Sequence, residues 1–449
     1  MALSPLSDRY RHIIADLEKV LGDKQYFLSR LRVELAYLII LTRKKGYDSQ
    51  VIETIFQKFC SNADDDVDDT AYNKFKSLDA TTQHDIKAIE YYIKNLLEEI
   101  EHPNKTEIAN LVHCGLTSQD VNSVAFTWML TKSLEQVVWP AFAKFSSSAR
   151  EFLDKMDITA MGYTHGQPAI PVNIGAEYGK LFNKISRTFE QILDVKLTAK
   201  FASCTGNYST LLVIFGDYGN IRKIQKELLT MLKLDIELTP SPRQIDDYSS
   251  YVSLLQLIQQ LALNLKEFAL NIWLRITRGE LVQIQREGEV GSSVMSHKIN
   301  PWRLEQAEAT SNIIHGLCDA VIRTISVSRD SRDMSDSYAL RYMGEIFGNV
   351  LLLFRSIGND ISRLQPNEPL IATSLEANWS SLSEYIQTYL RWNCPSISDP
   401  YKLLADFTKG KKINQAELQQ FISNLPIEEE HRKNLAKMEI SKYIGIYLH

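Results

Sequence analysis

One loop-like segment, GSSVMSHKINP beginning at Gly291, gathers side chains that suit catalysis on an anionic substrate. Its backbone N–H groups and the hydroxyls of Ser292 and Ser293 are followed by the positive charge of Lys298 and the amide of Asn300. Such donors form a cradle for an oxyanion, because they stabilise negative charge where it develops in a reaction. The alternative is a flexible linker, but a linker has no need of a lysine and an asparagine in its midst. We therefore expect a functional loop.

A second candidate is His165, in the segment MGYTHGQPAIPVNIG. Gly166, Gln167 and Pro168 follow it at once, which places the histidine in a constrained turn and not on a helix face. An unperturbed histidine titrates near neutral pH and is therefore a natural proton donor. A purely structural turn residue is the alternative.

Two further polar segments precede predicted helices. His84 and Asp85 stand in TTQHDIKAIEYY, and Thr117, Ser118 and Asp120 stand in HCGLTSQDVNS. Both sets are of the types that cap helix N-termini. A helix N-terminus also binds anions, since its free N–H groups and its dipole favour negative charge. Helix capping and ligand binding are therefore both retained as interpretations of these two segments.

A fifth segment, RDSRDMSDSYALRYMG, carries Arg332, Ser337 and Arg341 at spacings of five and four residues. These residues could lie near one helix face, where two guanidinium groups and a hydroxyl suit a phosphate or a carboxylate. Ion pairing at the surface is the alternative.

The sequence gives no sign of a metal or a cofactor. The motifs HExxH and GxxxxGK[ST] are both absent from the chain. The run 64–69 holds five aspartates, but it lacks the glycine that a calcium loop requires in its middle. We read it as a solvated surface loop, and we expect no metal and no cofactor.

The elements that must position these side chains are helices. Proline is absent from three long stretches, 172–239, 243–300 and 302–365, the first of which follows Pro171 directly. Apolar residues recur in these stretches at helical spacing. Residues 248–285 predict mostly one long helix, in which a buried stripe runs at steps of three or four: Val252, Leu255, Ile258, Leu261, Leu265, Phe268, Ile272 and Ile276. STLLVIF is the only short candidate for a strand. Long helices that each bury a stripe pack most simply as a bundle, so we expect an all-α fold.

Three consecutive helical regions are predicted. Residues 1–110 form an N-terminal domain of shorter helices, 111–363 a central domain of long helices, and 364–449 a C-terminal domain that is richer in polar residues. The stretch DPYKLLADFTKGKKINQAELQQFISNLPIEEE within the last region predicts short helices joined by turns.

The composition describes an ordinary globular protein of 449 residues, with 44% hydrophobic and 23% charged residues. A net charge of −5 argues against a general nucleic-acid binder. The five cysteines are odd in number and scattered, which fits reduced thiols in the cytoplasm. No signal peptide or membrane span is visible, so we expect neither a membrane nor a nucleic acid as partner.

Taken together, these segments resemble the adenylosuccinate lyase family of the fumarase and aspartase superfamily. GSSVMSHKINP is similar to the superfamily signature GSSxMPxKxNP, and TTQHDIKAIEYYI is similar to TTNHDVKAVEYF of the bacterial family members. THGQPAIP, TSQDVN, the GNY at 206–208, the N-terminal SPLSDRY and the C-terminal DPYKLLADFTKGKKIN match as well. The resemblance covers nearly the whole chain in order.

The resemblance implies a β-elimination in purine nucleotide biosynthesis. Adenylosuccinate would be split to AMP and fumarate, and the succinylated imidazole-carboxamide ribotide (SAICAR) to its amide (AICAR) and fumarate. By analogy with the family, Ser292 is the general base and His165 the general acid. The implied substrate-binding residues are Arg9, Tyr10, Gln83, His84, Asp85, Thr117, Ser118, Gln244, Lys298, Asn300, Arg332, Ser337 and Arg341. Chemistry alone would favour histidine for both proton transfers; the serine is assigned by the family.

The family also implies a homotetramer in which each active site draws on three subunits, around a shared central bundle. The glycine-containing loop that carries Ser292 would close over bound substrate and exclude water. Two positions depart from the family pattern. Ser296 stands where the family has proline, which removes a fixed φ and raises the entropic cost of closure. Gln83 replaces asparagine and moves the amide by one methylene.

Two alternatives remain at this point. One is another lyase of the superfamily, such as an argininosuccinate lyase; TTQHD and the set Arg332, Ser337 and Arg341 argue against it. The other is a helical scaffold that keeps the fold without catalysis, which His165, Ser292, Lys298 and Asn300 disfavour.

Overall fold

The computed structural model describes residues 4–60, 69–285, 287–288, 290–292 and 294–447. Ser293 of the predicted oxyanion cradle, and residues 64–68 of the aspartate run, lie outside the described residues.

Helices dominate the described chain, as the proline-free stretches predicted. The helices are α1 (Arg11–Leu21), α2 (Asp23–Lys44), α3 (Gln50–Cys60), α4 (Asp69–Thr82), α5 (Asp85–Glu98), α6 (Lys105–Ala109), α7 (Ser118–Ser133), α8 (Trp139–Lys155), α9 (Ile174–Leu193), α10 (Ser209–Phe215), α11 (Tyr218–Leu232), α12 (Ser249–Thr277), α13 (Trp302–Ile325), α14 (Ser335–Ala339), α15 (Met343–Ile361), α16 (Glu368–Glu376), α17 (Ser383–Asn393), α18 (Pro400–Thr408), α19 (Gln415–Ser423) and α20 (Glu429–Ala436). The strands are short: β1 (Thr159–Thr164), β2 (Gln167–Asn173), β3 (Thr198–Ala199), β4 (Glu237–Leu238), β5 (Leu281–Gln283) and β6 (Leu364–Pro366).

The chain divides into two compact units that are discontinuous in sequence. The first comprises Met1–Ala143, Thr188–Ala262 and Thr310–Phe354, and the second comprises Lys144–Arg187, Leu263–Ala309 and Arg355–His449. The three consecutive regions expected from the sequence follow a different division, and they stay a prediction.

Helix α2 is the centre of the core in the first unit. Leu31, Leu35 and Leu38 are completely buried along it, and it packs against α3, α5, α7 and α11. Elsewhere in the unit, α8, α9 and α15 meet through aromatic rings: Phe142 and Phe189 are stacked with centroids 3.8 Å apart, and Phe354 meets both rings edge-on. The predicted packing of long helices is therefore observed within this unit.

In the second unit, α8, α9 and α12 meet through Phe152, Tyr178 and Phe268, whose ring centroids are within 6.2 Å of one another. The antiparallel pairs β1–β2 and β5–β6 also belong to this unit. The predicted short helices of the C-terminal stretch are present as α18, α19 and α20. Across the residues that the structure describes, no helix is both long and apolar enough to cross a membrane.

The long helix predicted over 248–285 is confirmed as α12, although it ends at Thr277 and is followed by β5. Most of the predicted stripe is buried, including Leu255, Leu265 and Phe268. The strand candidate STLLVIF is wrong, because it forms α10. Leu211 and Phe215 are buried four residues apart while Val213 is 86% exposed, so this apolar run follows the helical period.

Candidate active site

A cavity of about 610 Å³ lies within the first unit, in the size range of small-molecule sites. It is lined by the C-terminal ends of α1 and α4, by α2, the N-terminal end of α5, one side of α7, the start of α12, and the segment 332–344. Seven residues predicted from the sequence meet there: Gln83, His84, Asp85, Ser118, Arg332, Ser337 and Arg341. Segments more than 200 residues apart in the chain thus share one wall.

The N-terminus of α5 presents His84 and Asp85 to this cavity. His84 is the N-cap, and its Nδ1 accepts the N–H of Lys87 at 3.3 Å, so the predicted capping role is present. Asp85 Oδ1 accepts the N–H of Ile86 at 2.9 Å. One polar segment therefore both caps a helix and lines the cavity, and the two interpretations of the sequence are compatible.

The N-terminus of α7 is fixed by a buried carboxylate. Asp120 accepts the N–H of Thr117 at 2.8 Å and that of Ala202 at 2.7 Å, and its Oδ1 lies 2.7 Å from the ammonium of Lys200. Burial lowers the pKa of Lys200, in spite of the facing carboxylate. The first N–H groups of an α-helix have no partner within it, so the start of α7 at Ser118 offers the cavity an anion site.

The segment 332–344 supplies the cationic side of the cavity. Nη2 of Arg332 and Nε2 of Gln119 lie 3.3 and 3.4 Å from Oγ of Ser337. Beside them the hydroxyl of Tyr248 donates to Asp336 at 2.7 Å, which fixes the short helix α14 that carries Ser337. The Nε of Arg332 is buried and has no hydrogen-bond partner among the described residues. This arrangement suits a phosphate or a carboxylate.

His165 lies in the second unit, at the tip of the β1–β2 hairpin. Thr164 pairs with Gln167, so His165 and Gly166 form a two-residue turn in which both φ angles are positive, +51° and +73°. Such turns favour glycine at the second position, which explains the dipeptide. The constrained turn predicted from the sequence is confirmed. The side chain is exposed and makes no hydrogen bond or ion pair with a described residue.

The loop that carries Ser292 also belongs to the second unit. Ser292 Oγ accepts the N–H of Met295 at 3.2 Å. A Cβ at Gly291 would lie 2.5 Å from the carbonyl oxygen of Lys298, so glycine permits the two ends of the loop to approach each other closely. Lys298 is exposed, Asn300 is half-buried, and α13 begins two residues later, as predicted.

Four predicted residues of the first unit do not line the described cavity. Thr117 precedes Ser118 as the N-cap of α7, while Arg9 and Tyr10 lie just before α1 with the Arg9 guanidinium 5.8 Å from the Tyr10 ring. Gln244 donates to the thiol of Cys204 at 3.5 Å. His165, Ser292, Lys298 and Asn300 are residues of the second unit.

Sequence reasoning missed several residues of the cavity wall, among them Tyr26, Arg30, Gln119, Asn122 and Tyr248. A signal was available for Asn122, which follows Ser118 by four residues and therefore shares its helix face. No local signal marked Arg30, whose environment is set by distant segments.

A buried ion pair near these helices was also missed. Nδ1 of His113 is 2.5 Å from Oε1 of Glu34, whose side chain is 1% exposed. Burial alone would lower the pKa of His113, but the Glu34 carboxylate outweighs it and the pKa is raised. Within the described part of the chain, no group of three or more His, Cys, Asp or Glu side chains is placed to hold a metal ion.

Comparison with known proteins gives matches along the whole chain. A family model described as "Lyase" matches residues 24–316, and one described as "Adenylosuccinate lyase C-terminal" matches residues 328–444. The adenylosuccinate lyase of Buchnera aphidicola is 30% identical over 99% of this chain and 96% of its own length. That of Dictyostelium discoideum is also 30% identical, with the same coverage.

Among solved structures, the fold is similar to that of β-carboxy-cis,cis-muconate cycloisomerase from Acinetobacter calcoaceticus. The TM-score is 0.70, at 17% identity, and the match covers 96% of this chain and 95% of the other. At this identity the likeness concerns the fold alone.

Proposed function

The chain belongs to the adenylosuccinate lyase family, and from this membership we propose that it cleaves adenylosuccinate to AMP and fumarate, and SAICAR to AICAR and fumarate. It is accordingly a carbon–nitrogen lyase, and purine nucleotide biosynthesis is the pathway it serves.

The observation that carries the proposal is the composition of the cavity wall. Arg332, Ser337 and Arg341 line it together with the N-terminus of α7, and these groups match the charge of a phosphate. The carboxylate of Asp85 and the ring of His84 lie on the same wall and suit the polar groups of a nucleoside. The substrates of the alternative lyases, such as argininosuccinate, contain no nucleotide that such a wall could bind.

The proposed reaction begins with removal of a proton from the succinyl carbon beside a carboxylate, with Ser292 as general base. The electron pair of that C–H bond then forms the C=C bond of fumarate, and the C–N bond breaks. His165 donates a proton to the departing nitrogen. Removing the proton builds up a second negative charge at the carboxylate, which Lys298 and Asn300 would stabilise by several kcal/mol in a site closed to water.

Serine is a weak base and needs help to act as an alkoxide. The loop supplies one such donor, since the N–H of Met295 donates to Ser292 Oγ at 3.2 Å. The proposed closure of this loop over the substrate would remove water and strengthen the stabilisation of the alkoxide by this donor.

We also propose a homotetramer with active sites shared between subunits. Apolar side chains that are exposed on the long helices support it: Leu263 and Leu274 on α12 are 45% and 42% exposed, and Ile313 on α13 is 52% exposed. Long helices with such faces bury them against other copies of the chain. None of the five cysteines forms a disulfide in the part of the chain that the structure describes, which supports the proposed location in the cytoplasm, where thiols stay reduced.

A spectrophotometric assay tests the function. The purified protein should deplete adenylosuccinate and SAICAR, and should leave argininosuccinate and malate unchanged. A protein that cleaves one of the latter pair instead would belong to another branch of the superfamily, and a protein inactive on all four would be a scaffold. The assay is repeated in a chelator, where activity should persist, and light scattering should give the mass of a tetramer.

A further inference from the structure

A buried arginine on α2 forms part of the cavity wall. Arg30 is 6% exposed, and its guanidinium stacks on the ring of Tyr26, with Cζ 3.5 Å from the ring centroid. A planar guanidinium that is stacked and hydrogen-bonded has little freedom to rotate. Its position can therefore fix the groups bonded to it.

Two of those groups come from other helices and also line the cavity. Nε of Arg30 donates to Oδ1 of Asn122 on α7 at 2.8 Å, and Nη2 donates to Oδ2 of Asp85, the first residue of α5, at 2.7 Å. One side chain thus links α2, α5 and α7 at the cavity.

The bond to Asn122 decides which end of its amide remains available. Because Oδ1 faces the guanidinium, the NH₂ group is the free end, and it donates to no described residue. The bond to Asp85 leaves a carboxylate that has one oxygen on Arg30 and the other on the N–H of Ile86. A carboxylate oxygen accepts more than one hydrogen bond, so Asp85 can still accept from a ligand.

The contact with Arg30 also stabilises the negative charge of Asp85. Burial alone would raise the pKa of the Asp85 carboxyl, but the Arg30 guanidinium and the Ile86 N–H outweigh it, and the pKa lies below its usual value. The cavity wall therefore carries an anionic acceptor close to an amide donor.

We infer that Arg30 is a positioning residue that orients Asp85 and Asn122 as an adjacent acceptor and donor for the nucleoside part of the substrate, and that Asn122 is a binding residue. The inference rests on the proposed function, since it takes a purine nucleotide as the occupant of the cavity. It adds Arg30 and Asn122 to the residues that the sequence motifs indicated.

The helix α2 itself offers a matched control. Arg32 is also buried, at 3% exposed; its Nε donates to the carbonyl of Phe59 at 2.7 Å, and its guanidinium lies 5.1 Å from the Trp128 ring. It does not line the described cavity. Arg32→Gln and Arg30→Gln therefore remove the same buried group from one helix, but only Arg30→Gln should disturb the cavity wall.

The experiment compares the full-length parent with Arg30→Gln, Arg30→Lys, Asn122→Asp and Arg32→Gln. KM and kcat are measured for adenylosuccinate, and the Kd for AMP is measured by calorimetry. Arg30→Gln should raise KM and Kd about 10- to 100-fold, since it breaks a hydrogen bond to a charged group, and kcat should change less. Arg30→Lys should recover part of the loss because it keeps the charge beside Asp85. Asn122→Asp keeps an acceptor for Arg30 but lacks the NH₂ donor, so AMP should bind more weakly.

A pH profile separates positioning from simple destabilisation. Without Arg30 the pKa of Asp85 should rise, so the acid limb of kcat/KM should move to higher pH in Arg30→Gln and stay in place in Arg32→Gln.

Equal AMP affinity and superimposable pH profiles in the parent and Arg30→Gln would overturn the positioning role, and Asn122→Asp with the parent's affinity would overturn the donor role. If Arg30→Gln does not fold, Arg30→Lys carries the affinity readout, because an ammonium does not reproduce the two-pronged bonding of a guanidinium to Asp85 and Asn122. AMP affinity equal to the parent's in Arg30→Lys would then overturn the positioning role. A parent that neither cleaves adenylosuccinate nor binds AMP would overturn the proposed function itself, and the inference with it.

Discussion

The carboxylate of Asp120 and the ammonium of Lys200 lie 2.7 Å apart, and both side chains are completely buried. Asp120 also accepts N–H groups of Thr117, Ala202 and Ser203, so it ties the N-terminus of α7 to the loop that follows β3. Lys200 has fewer partners, namely Asp120 and the carbonyl of Ser203. The two charges are therefore unequally supported.

This inequality predicts that the two partners differ in their effect on stability. Asp120→Asn leaves a buried ammonium without its counter-charge and should lower the free energy of unfolding by about 3–5 kcal/mol. Lys200→Met leaves a carboxylate that keeps three N–H donors, and it should cost about 1–3 kcal/mol. Urea unfolding at one fixed protein concentration measures both. A larger loss for Lys200→Met than for Asp120→Asn would contradict the ranking.

The proposed acid and base can be tested by single substitutions. His165→Gln and Ser292→Ala should each lower kcat at least about 100-fold, because positioned proton transfer contributes 10²- to 10⁴-fold to a rate. Neither side chain is buried, so melting temperatures should stay close to that of the parent. Retention of more than a tenth of the parent's kcat in either variant would remove that residue from the proposed role.

The proposed sharing of active sites between subunits predicts complementation between these two variants. When inactive His165→Gln and Ser292→Ala proteins are unfolded together and refolded, mixed oligomers should contain some sites with both residues intact. Partial activity should return, and each variant refolded alone gives the control. No recovery from mixtures that light scattering shows to be mixed oligomers would argue that each site is built within one subunit.

The cationic side of the cavity predicts a binding defect. Arg332→Met removes a guanidinium that contacts Ser337 and lines the cavity, and it should raise KM for adenylosuccinate about 10- to 100-fold. Inorganic phosphate should inhibit the parent competitively and should inhibit the variant less. An unchanged phosphate inhibition constant in Arg332→Met would show that this arginine does not hold the phosphate.

The pair His113 and Glu34 predicts a pH-dependent stability. Since folding raises the pKa of His113, the pair contributes stability that is fully present below the pKa of an unfolded histidine, about 6.5. That contribution is lost as the pH rises through the higher folded pKa. The free energy of unfolding of Glu34→Gln should therefore fall furthest below that of the parent at about pH 6. This difference in free energy should narrow towards about pH 9. Unfolding curves measured over this pH range test the prediction. A difference in free energy of unfolding that stays constant with pH would show that it does not come from the His113–Glu34 pair.

The sequence by itself determined the all-α class, the long helix α12 and the start of α13, because a buried stripe and the absence of proline are local properties that a helix repeats every turn. It also predicted which side chains could do the chemistry. Gly166, Gln167 and Pro168, which follow His165, predicted the turn in which that histidine lies. The family resemblance, carried by motifs, extended these predictions to a substrate.

Only the tertiary structure decided which of these residues share a wall. Asp85 and Ser337 are 252 positions apart in the chain, and nothing local to either indicates that they line one cavity. STLLVIF was misjudged for the same reason, since a short apolar run fits either period until its neighbours decide which side chains are buried. Arg30 was missed because the role of this arginine in an apolar helix depends on partners 55 and 92 residues further along the chain. Periodicity is encoded locally, whereas burial and pairing depend on distant segments that only folding brings into contact.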